Sequence, residues 1–272
     1  MRIKFYQSTA CKADQAMNGF TEMLQQSLVT QDGMLAVDNH EDMIHLLGPI
    51  DDTMIRIITT AYQRHIPLIY SPLGALSPWL AGEKGKLLTR AVQKAVSLVP
   101  VVHAIGPYEQ SVIERLMDKE CLVLSFPNPV VTNQVSKDEM AEFFASNYKK
   151  YAARHDGNIR RAIDIQLQEL KDDITLHLCK EILYLHYWHI RETLPLHAMN
   201  ALTDYMTSHD YDEEAFALTL KRLRMDVFFG RLEQVMADCC SLTEGYMPLP
   251  AIADKQTEKM AAMVFNPDNL PV

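Results

Sequence analysis

The sequence predicts an α/β domain on a mostly parallel sheet, followed by an all-helical second half. Three observations predict it. Short apolar runs recur between Ile3 and Phe126 with helical segments between them, the pattern of strands joined by crossover helices. Glycine-bearing loops follow several of those runs, where open parallel sheets gather their ligands. After about residue 136 the apolar spacing is helical, and no alternating strand pattern stands out.

Taken in order, Ile3 to Tyr6 reads as a short strand. An amphipathic helix follows from Asp14 to Leu28, with Ala16, Met17, Phe20, Met23, Leu24 and Leu28 near helical spacing. Met34 to Val37 and Met43 to Leu47 read as strands. Asp51 and Asp52 supply the cap and first-turn carboxylate of a helix carrying Ile55, Ile58 and Tyr62 on one side. Leu68 to Tyr70 is short and apolar, as a buried parallel strand is. Ser71 to Gly74 and Ser77-Pro78 break the pattern into a loop. A helix over residues 84–98, a strand from Val101 to Ile105, a helix opened by Pro107 and running to Met117, and a strand from Cys121 to Phe126 complete the series. Ser136-Lys-Asp-Glu139 has the capping-box spacing and opens a helix to about Tyr151. Further helices are expected over residues 158–192, 197–207, 213–229, 230–241 and 254–263, with Gly245 and Pro248 marking a break. The expected domains are residues 1–135 and 136–272.

Composition narrows the class. The 272 residues suffice for one large or two ordinary cores. Hydrophobic residues make up 48% and charged residues 22%, which excludes a disordered chain. Of the net charge of −9, the first 136 residues carry −2 and the rest −7, which argues against nucleic acid or an anionic membrane as partner. The N-terminal MRIKFYQSTACK has no long apolar run, so no signal peptide is expected, and no segment is apolar for long enough to span a bilayer. The five scattered cysteines suit reduced thiols in a cytoplasm.

The wording of the strand-helix series is more specific than its order. Met43-Ile-His-Leu-Leu-Gly48, Ile66-Pro-Leu-Ile-Tyr-Ser-Pro-Leu-Gly74, Val101-Val-His-Ala-Ile-Gly106 with Glu109, and Val123-Leu-Ser-Phe-Pro-Asn-Pro-Val-Val-Thr132 together resemble the N-terminal half of a GT-B glycosyltransferase. The resemblance is to the group that takes sugars from nucleotide-sugar donors, and it covers about half the chain. It implies a Rossmann-like acceptor-side domain. It also exposes departures. Where that family places a histidine before the loop glycine, this chain has Leu73, which can neither exchange a proton nor bond a sugar hydroxyl. The loop Gln7 to Lys12 lacks the family's glycine pair, and Leu47 stands at a second histidine position. The donor half's acidic motif has no counterpart.

The candidate site residues follow from strand-end position and from the resemblance. Glu109 and His45 are the candidate polar cleft groups, with Ser71 and His103 behind them. Gly48, Ser71, Gly74 and Gly106 are the candidates for holding phosphate or sugar, the glycines through backbone amides. A carboxylate in the first turn after Pro107 also explains Glu109 by offsetting the helix macrodipole. In the helical half, Asp173, His177 and Glu181 recur every four residues, with Glu169 a turn earlier and His186 and His189 beyond. A solvated face explains that stripe more simply than a metal, and no metal site is expected. No nucleotide-hydrolysing or dinucleotide fingerprint and no Gly-x-Ser-x-Gly elbow occurs.

The expectation is therefore a glycosyltransferase-like protein without autonomous sugar transfer. It would bind a saccharide or a partner enzyme in a glycoconjugate or polysaccharide pathway. The alternatives are an active transferase that completes its donor site with the helical half or another chain, and a protein–protein interaction module whose helical half forms an oligomer or docks a partner, without a sugar ligand. No cofactor is expected, a nucleotide sugar being a donor substrate only in the active case.

Overall fold

The computed structural model describes residues 1–29, 31, 33–38, 41–76, 90–116, 121–132 and 134–265. The expected loop at Ser77-Pro78, the start of the helix expected at 84 and its neighbour's end at Met117 lie outside the described residues. Six strands form one parallel sheet: β1 (Arg2–Gln7), β2 (Leu35–Ala36), β3 (Met43–Leu47), β4 (Leu68–Ser71), β5 (Val101–Ala104) and β6 (Leu122–Ser125). Their order is β2-β1-β3-β4-β5-β6, so the chain reverses direction across the sheet between β1 and β3. An α/β domain with a parallel sheet is what the alternating apolar runs predicted.

Strand alternation sorts side chains to two covered faces. Ile3, Met43, Ile69, Val101 and Leu124 pack with Phe20 and Leu24 of α2 (Gln15–Leu28) and with Phe144 and Tyr148 of a later helix, α7 (Lys137–Gln166). Ile44, Leu46, Leu68, Tyr70, Val102 and Ala104 pack on the other face with α3 (Asp52–Gln63), α4 (Arg90–Ser97) and α5 (Pro107–Leu116). Each fully buried large apolar side chain contributes roughly 1.5–3 kcal/mol relative to exposure. A short α1 (Thr9–Ala13) precedes α2, and the four-residue α6 (Pro129–Thr132) follows β6.

The caps behave as their residue types require. Asp51 accepts from the Met54 amide at 2.8 Å, and Asp52 lies in the first turn of α3. Tyr62, expected beside Ile55 and Ile58, is instead largely exposed. Ser136 and Glu139 form the reciprocal capping bonds, at 3.1 Å and 2.7 Å. The helix they open does not stop near Tyr151 but runs to Gln166, through Gly157, which meets no crowding.

Two compact units divide at His155/Asp156, inside α7. The division falls after residue 135 because Met140, Phe144, Tyr148 and Tyr151 belong to the core of the sheet unit. The second unit contains α8 (Asp173–Ile190), α9 (Leu196–Ser208), α10 (Glu213–Arg222), α11 (Asp226–Cys240) and α12 (Lys255–Ala262) around its own core. The helix expected over 158–192 is two helices, broken over residues 167–172. The boundary expected at Gly230 lies instead at Leu223 to Met225, where Arg224 takes a left-handed φ of 58°. Gly230 sits within α11, where an added Cβ would lie 3.1 Å from Ile252 and from the Pro250 carbonyl, so its role is close packing. A two-residue parallel pair, β7 (Leu194–Pro195) with β8 (Val264–Phe265), was not signalled by the sequence, because so short a pair has no period to detect. Among the described residues no helix is long and apolar enough to cross a membrane.

Candidate functional site at the carboxyl edge of the sheet

His45, Ser71 and His103 come from three adjacent strands and share one face of the sheet. Pairing sets Leu47 beside Ser71, and Ile69 beside Val101, so Ser71 neighbours His103 while His45 lies diagonally across from it. Helices α2 and α7 cover this face, and Phe144 packs edge-on to His103 at a centroid distance of 5.0 Å. All three polar side chains are fully buried, as is Tyr148 of α7.

They form one hydrogen-bonded chain. Tyr148 Oη lies 2.5 Å from His45 Nδ1, and His45 Nε2 lies 2.7 Å from Ser71 Oγ. Ser71 Oγ lies 2.9 Å from His103 Nδ1, and His103 Nε2 lies 2.8 Å from the Phe126 carbonyl oxygen. The last partner fixes every proton. A carbonyl only accepts, so His103 carries its hydrogen on Nε2 and, when neutral, accepts on Nδ1. Ser71 therefore donates its one hydrogen to His103 and accepts from His45 Nε2. His45 then accepts on Nδ1 from the Tyr148 hydroxyl. Burial drives both histidines to the neutral form that this direction requires. It pushes His103 down to about 4, and it holds His45 well below the imidazole range, with His103 adding to the effect.

Glu109 occupies a separate position, in the first turn of α5. Its Oε1 accepts from the amides of Gly74 and Leu76 at 2.8 Å and 3.2 Å, and its Oε2 accepts from the Ile105 amide at 3.1 Å. Burial pushes its carboxyl above the ordinary range while these three donors pull it back. The side chain thus staples the loop after β4 to the end of β5. That loop needs holding, because Leu73 and Gly74 both have positive φ, 56° and 94°. Leu73, at the position where the resembled family has histidine, is buried in the core between the sheet and α2 and α7.

The glycines divide. The Gly48 amide donates to the Ser71 carbonyl at 2.8 Å, and its φ is 92°. A Cβ there would lie 2.4 Å from Cys11 Cβ and 2.8 Å from Ser8 Oγ, so α1 closes directly onto it. The crevice at the sheet's reversal point, between β1 and β3, is filled by the protein's own Ser8 and Cys11. Gly74 gives its amide to Glu109. The Gly106 amide, just before α5, donates to nothing among the described residues, and a Cβ there would meet nothing within 4 Å.

Sequence reasoning missed Tyr148. The signal was its spacing of four residues from Phe144 on an apolar helix face, opposite strands carrying His45, Ser71 and His103 in one parity. On α8, the histidines are taken up by tilted and edge-on aromatic contacts: the His177 ring centroid lies 4.1 Å from that of Tyr205, and His186 and His189 flank Phe228. Among the described residues no three metal-ligating side chains cluster closely enough to hold an ion. No protein-family model matches the chain, and neither a curated protein nor a solved structure does.

Proposed function

We propose that the protein is a glycosyltransferase-like binding protein without sugar transfer of its own, engaging a saccharide or a partner enzyme at the carboxyl edge of its sheet. The observation that carries this reading is the engagement of the polar groups at that edge with one another. General acid–base transfer needs a titratable atom within about 3 Å of the reacting group. His45 and His103 are fully buried and have both ring nitrogens in hydrogen bonds, and Glu109 has both oxygens on backbone amides. The saccharide in this proposal rests on the resemblance of the strand-end motifs. The Gly106 amide, without an acceptor among the described residues, adds a donor at a helix start, where hydroxyl oxygens and anions are favoured.

The test is a thermal-shift panel of UDP, GDP, their sugar conjugates and free oligosaccharides, with product analysis for transfer. A ligand at about 100 times its dissociation constant adds roughly 2.7 kcal/mol, which moves a melting midpoint by several degrees. A shift with an oligosaccharide and no turnover is the expected outcome. Turnover of any nucleotide sugar by the isolated chain would sink the proposal, and a flat panel would remove its saccharide half.

A further inference from the structure

A recess lies away from the carboxyl edge, on the opposite face of the sheet, between β1 and α3. Its volume is about 350 Å³, within the range of small-molecule sites. Strand β1 lies between β2 and β3, and such an inner strand of a doubly covered parallel sheet ordinarily reads as a near-continuous apolar run. Lys4 breaks that run. It alternates with Ile3 and Phe5, so it shares the α3 face with Tyr6.

Helix α3 covers β3 and β4 through Met54, Ile58 and Ala61. Its other flank, bearing Arg56, Ile57 and the following Arg64, forms one wall of the recess, while Lys4, Tyr6 and Ile44 line the sheet side. Three cationic side chains thus line it against a single carboxylate, Glu41, on a chain whose net charge is −9. Among the described residues the Lys4 ammonium makes no hydrogen bond or ion pair, and the only hydrogen bond of the Arg56 guanidinium there is from Nη2 to Thr53 Oγ1 at 3.3 Å. Glu41 therefore neutralises neither of them. Between the cations lie apolar surfaces: the Tyr6 ring and the side chains of Ile44 and Ile57.

We propose that this recess binds a small organic anion. Its phosphate or carboxylate would sit between Lys4 and Arg56, and its flat apolar body would lie against Tyr6, Ile44 and Ile57. A guanidinium offers a planar fork of donors to such an oxyanion, and an ammonium offers a point charge. A lone inorganic anion would leave the apolar lining unused, and a neutral ring would leave the cations unused. The site is independent of the carboxyl edge and of any sugar chemistry there.

The experiment is an NMR titration of the full chain with phenyl phosphate, benzoate, phenol and inorganic phosphate. The expected result is saturable shifts of the Ile44 and Ile57 methyls and of Tyr6 with phenyl phosphate or benzoate, whichever head group the site prefers. Phenol and inorganic phosphate should bind at least about tenfold more weakly. Lys4→Gln and Arg56→Gln, both at solvent-accessible positions, should each weaken the preferred probe by roughly tenfold, with the remaining spectrum unchanged. Equal affinity in the double variant would overturn the proposal. So would perturbations centred on Gly106 instead of Ile57, or no saturation by any anion below about 10 mM.

Discussion

The two units solve the problem of burying polar groups in opposite ways. In the sheet unit, Tyr148, His45, Ser71 and His103 share four hydrogen bonds ending on one carbonyl, and every ring nitrogen is used. In the helical unit, Glu233 of α11 is fully buried with far less support. One of its oxygens faces the Leu249 amide at 3.5 Å, and among the described residues the other has no hydrogen-bond partner, nor has the nearby Tyr211 hydroxyl. A complete network specifies one arrangement of side chains, whereas a lone buried acid lets burial decide its charge. Burial, reinforced by Glu213, pushes Glu233 up to about 8, and Tyr211 is pushed up to about 12.

The sharpest way to break the comparison is pH. Glu233 has a folded-state pKa of about 8 against 4.5, so its contribution to stability is complete below 4.5 and is lost as pH rises through 8. By linkage this amounts to roughly 5 kcal/mol as an upper bound. His103 works in the other direction. Its pKa is lowered from 6.5 to about 4, so its contribution is complete above 6.5 and lost as pH falls through that window. That loss is about 3 kcal/mol, and His45 adds to it with the same sign. Hydrogen exchange resolved by segment should show β3 to β5 losing protection between pH 6.5 and 4. His186 and His189 of α8 are also held below their ordinary range, so the Glu233 contribution is read against Glu233→Gln. That variant should be more stable than the wild type at pH 9 and no more stable at pH 4.5. Equal pH profiles for the two would show that the carboxyl is not held protonated by the fold.

The next effect comes from cutting the network in the middle. Ser71→Ala leaves His45 Nε2–H without an acceptor and His103 Nδ1 without a donor. Two orphaned buried groups at about 1–3 kcal/mol each predict a loss near 4 kcal/mol in urea denaturation. Tyr148→Phe removes only the terminal donor and should cost about half as much. A Ser71→Ala variant as stable as wild type would mean that water enters the site, and that the polar edge is open to ligands after all.

Much of this fold was legible because its signals are local. Apolar runs of four or five residues gave the strands, Asp51 and Ser136 gave two helix starts, and glycines after β3 and β4 gave the turns. The end of α7 was not legible, since Gly157 is permissive in sequence and uncrowded in space. The candidate site was half legible. Strand parity places His45, Ser71 and His103 together, but only tertiary packing reveals that Tyr148 closes the chain and that α2 and α7 exclude solvent from it. Nor does sequence distinguish a glycine that admits a ligand from one that admits its own helix. Gly48 and Gly106 both follow a strand, and they differ in what stands opposite.

That difference gives the smallest effects and the most pointed test. Gly48→Ala must put a Cβ into Cys11 and Ser8 at a φ of 92°, so it should destabilise by at least about 2 kcal/mol. Gly106→Ala places its methyl where no described residue lies within 4 Å, at an ordinary φ, and should change stability by no more than about 0.5 kcal/mol. The methyl would nonetheless stand beside the Gly106 amide at the start of α5, which has no acceptor among the described residues and where a ligand oxygen would approach. If Gly106→Ala leaves the melting midpoint unchanged but abolishes an oligosaccharide-induced shift, the open donor is where the ligand docks. If the shift survives in Gly106→Ala, the ligand does not use that amide. The carboxyl edge would then be a closed structural core, with binding left to surfaces elsewhere on the chain.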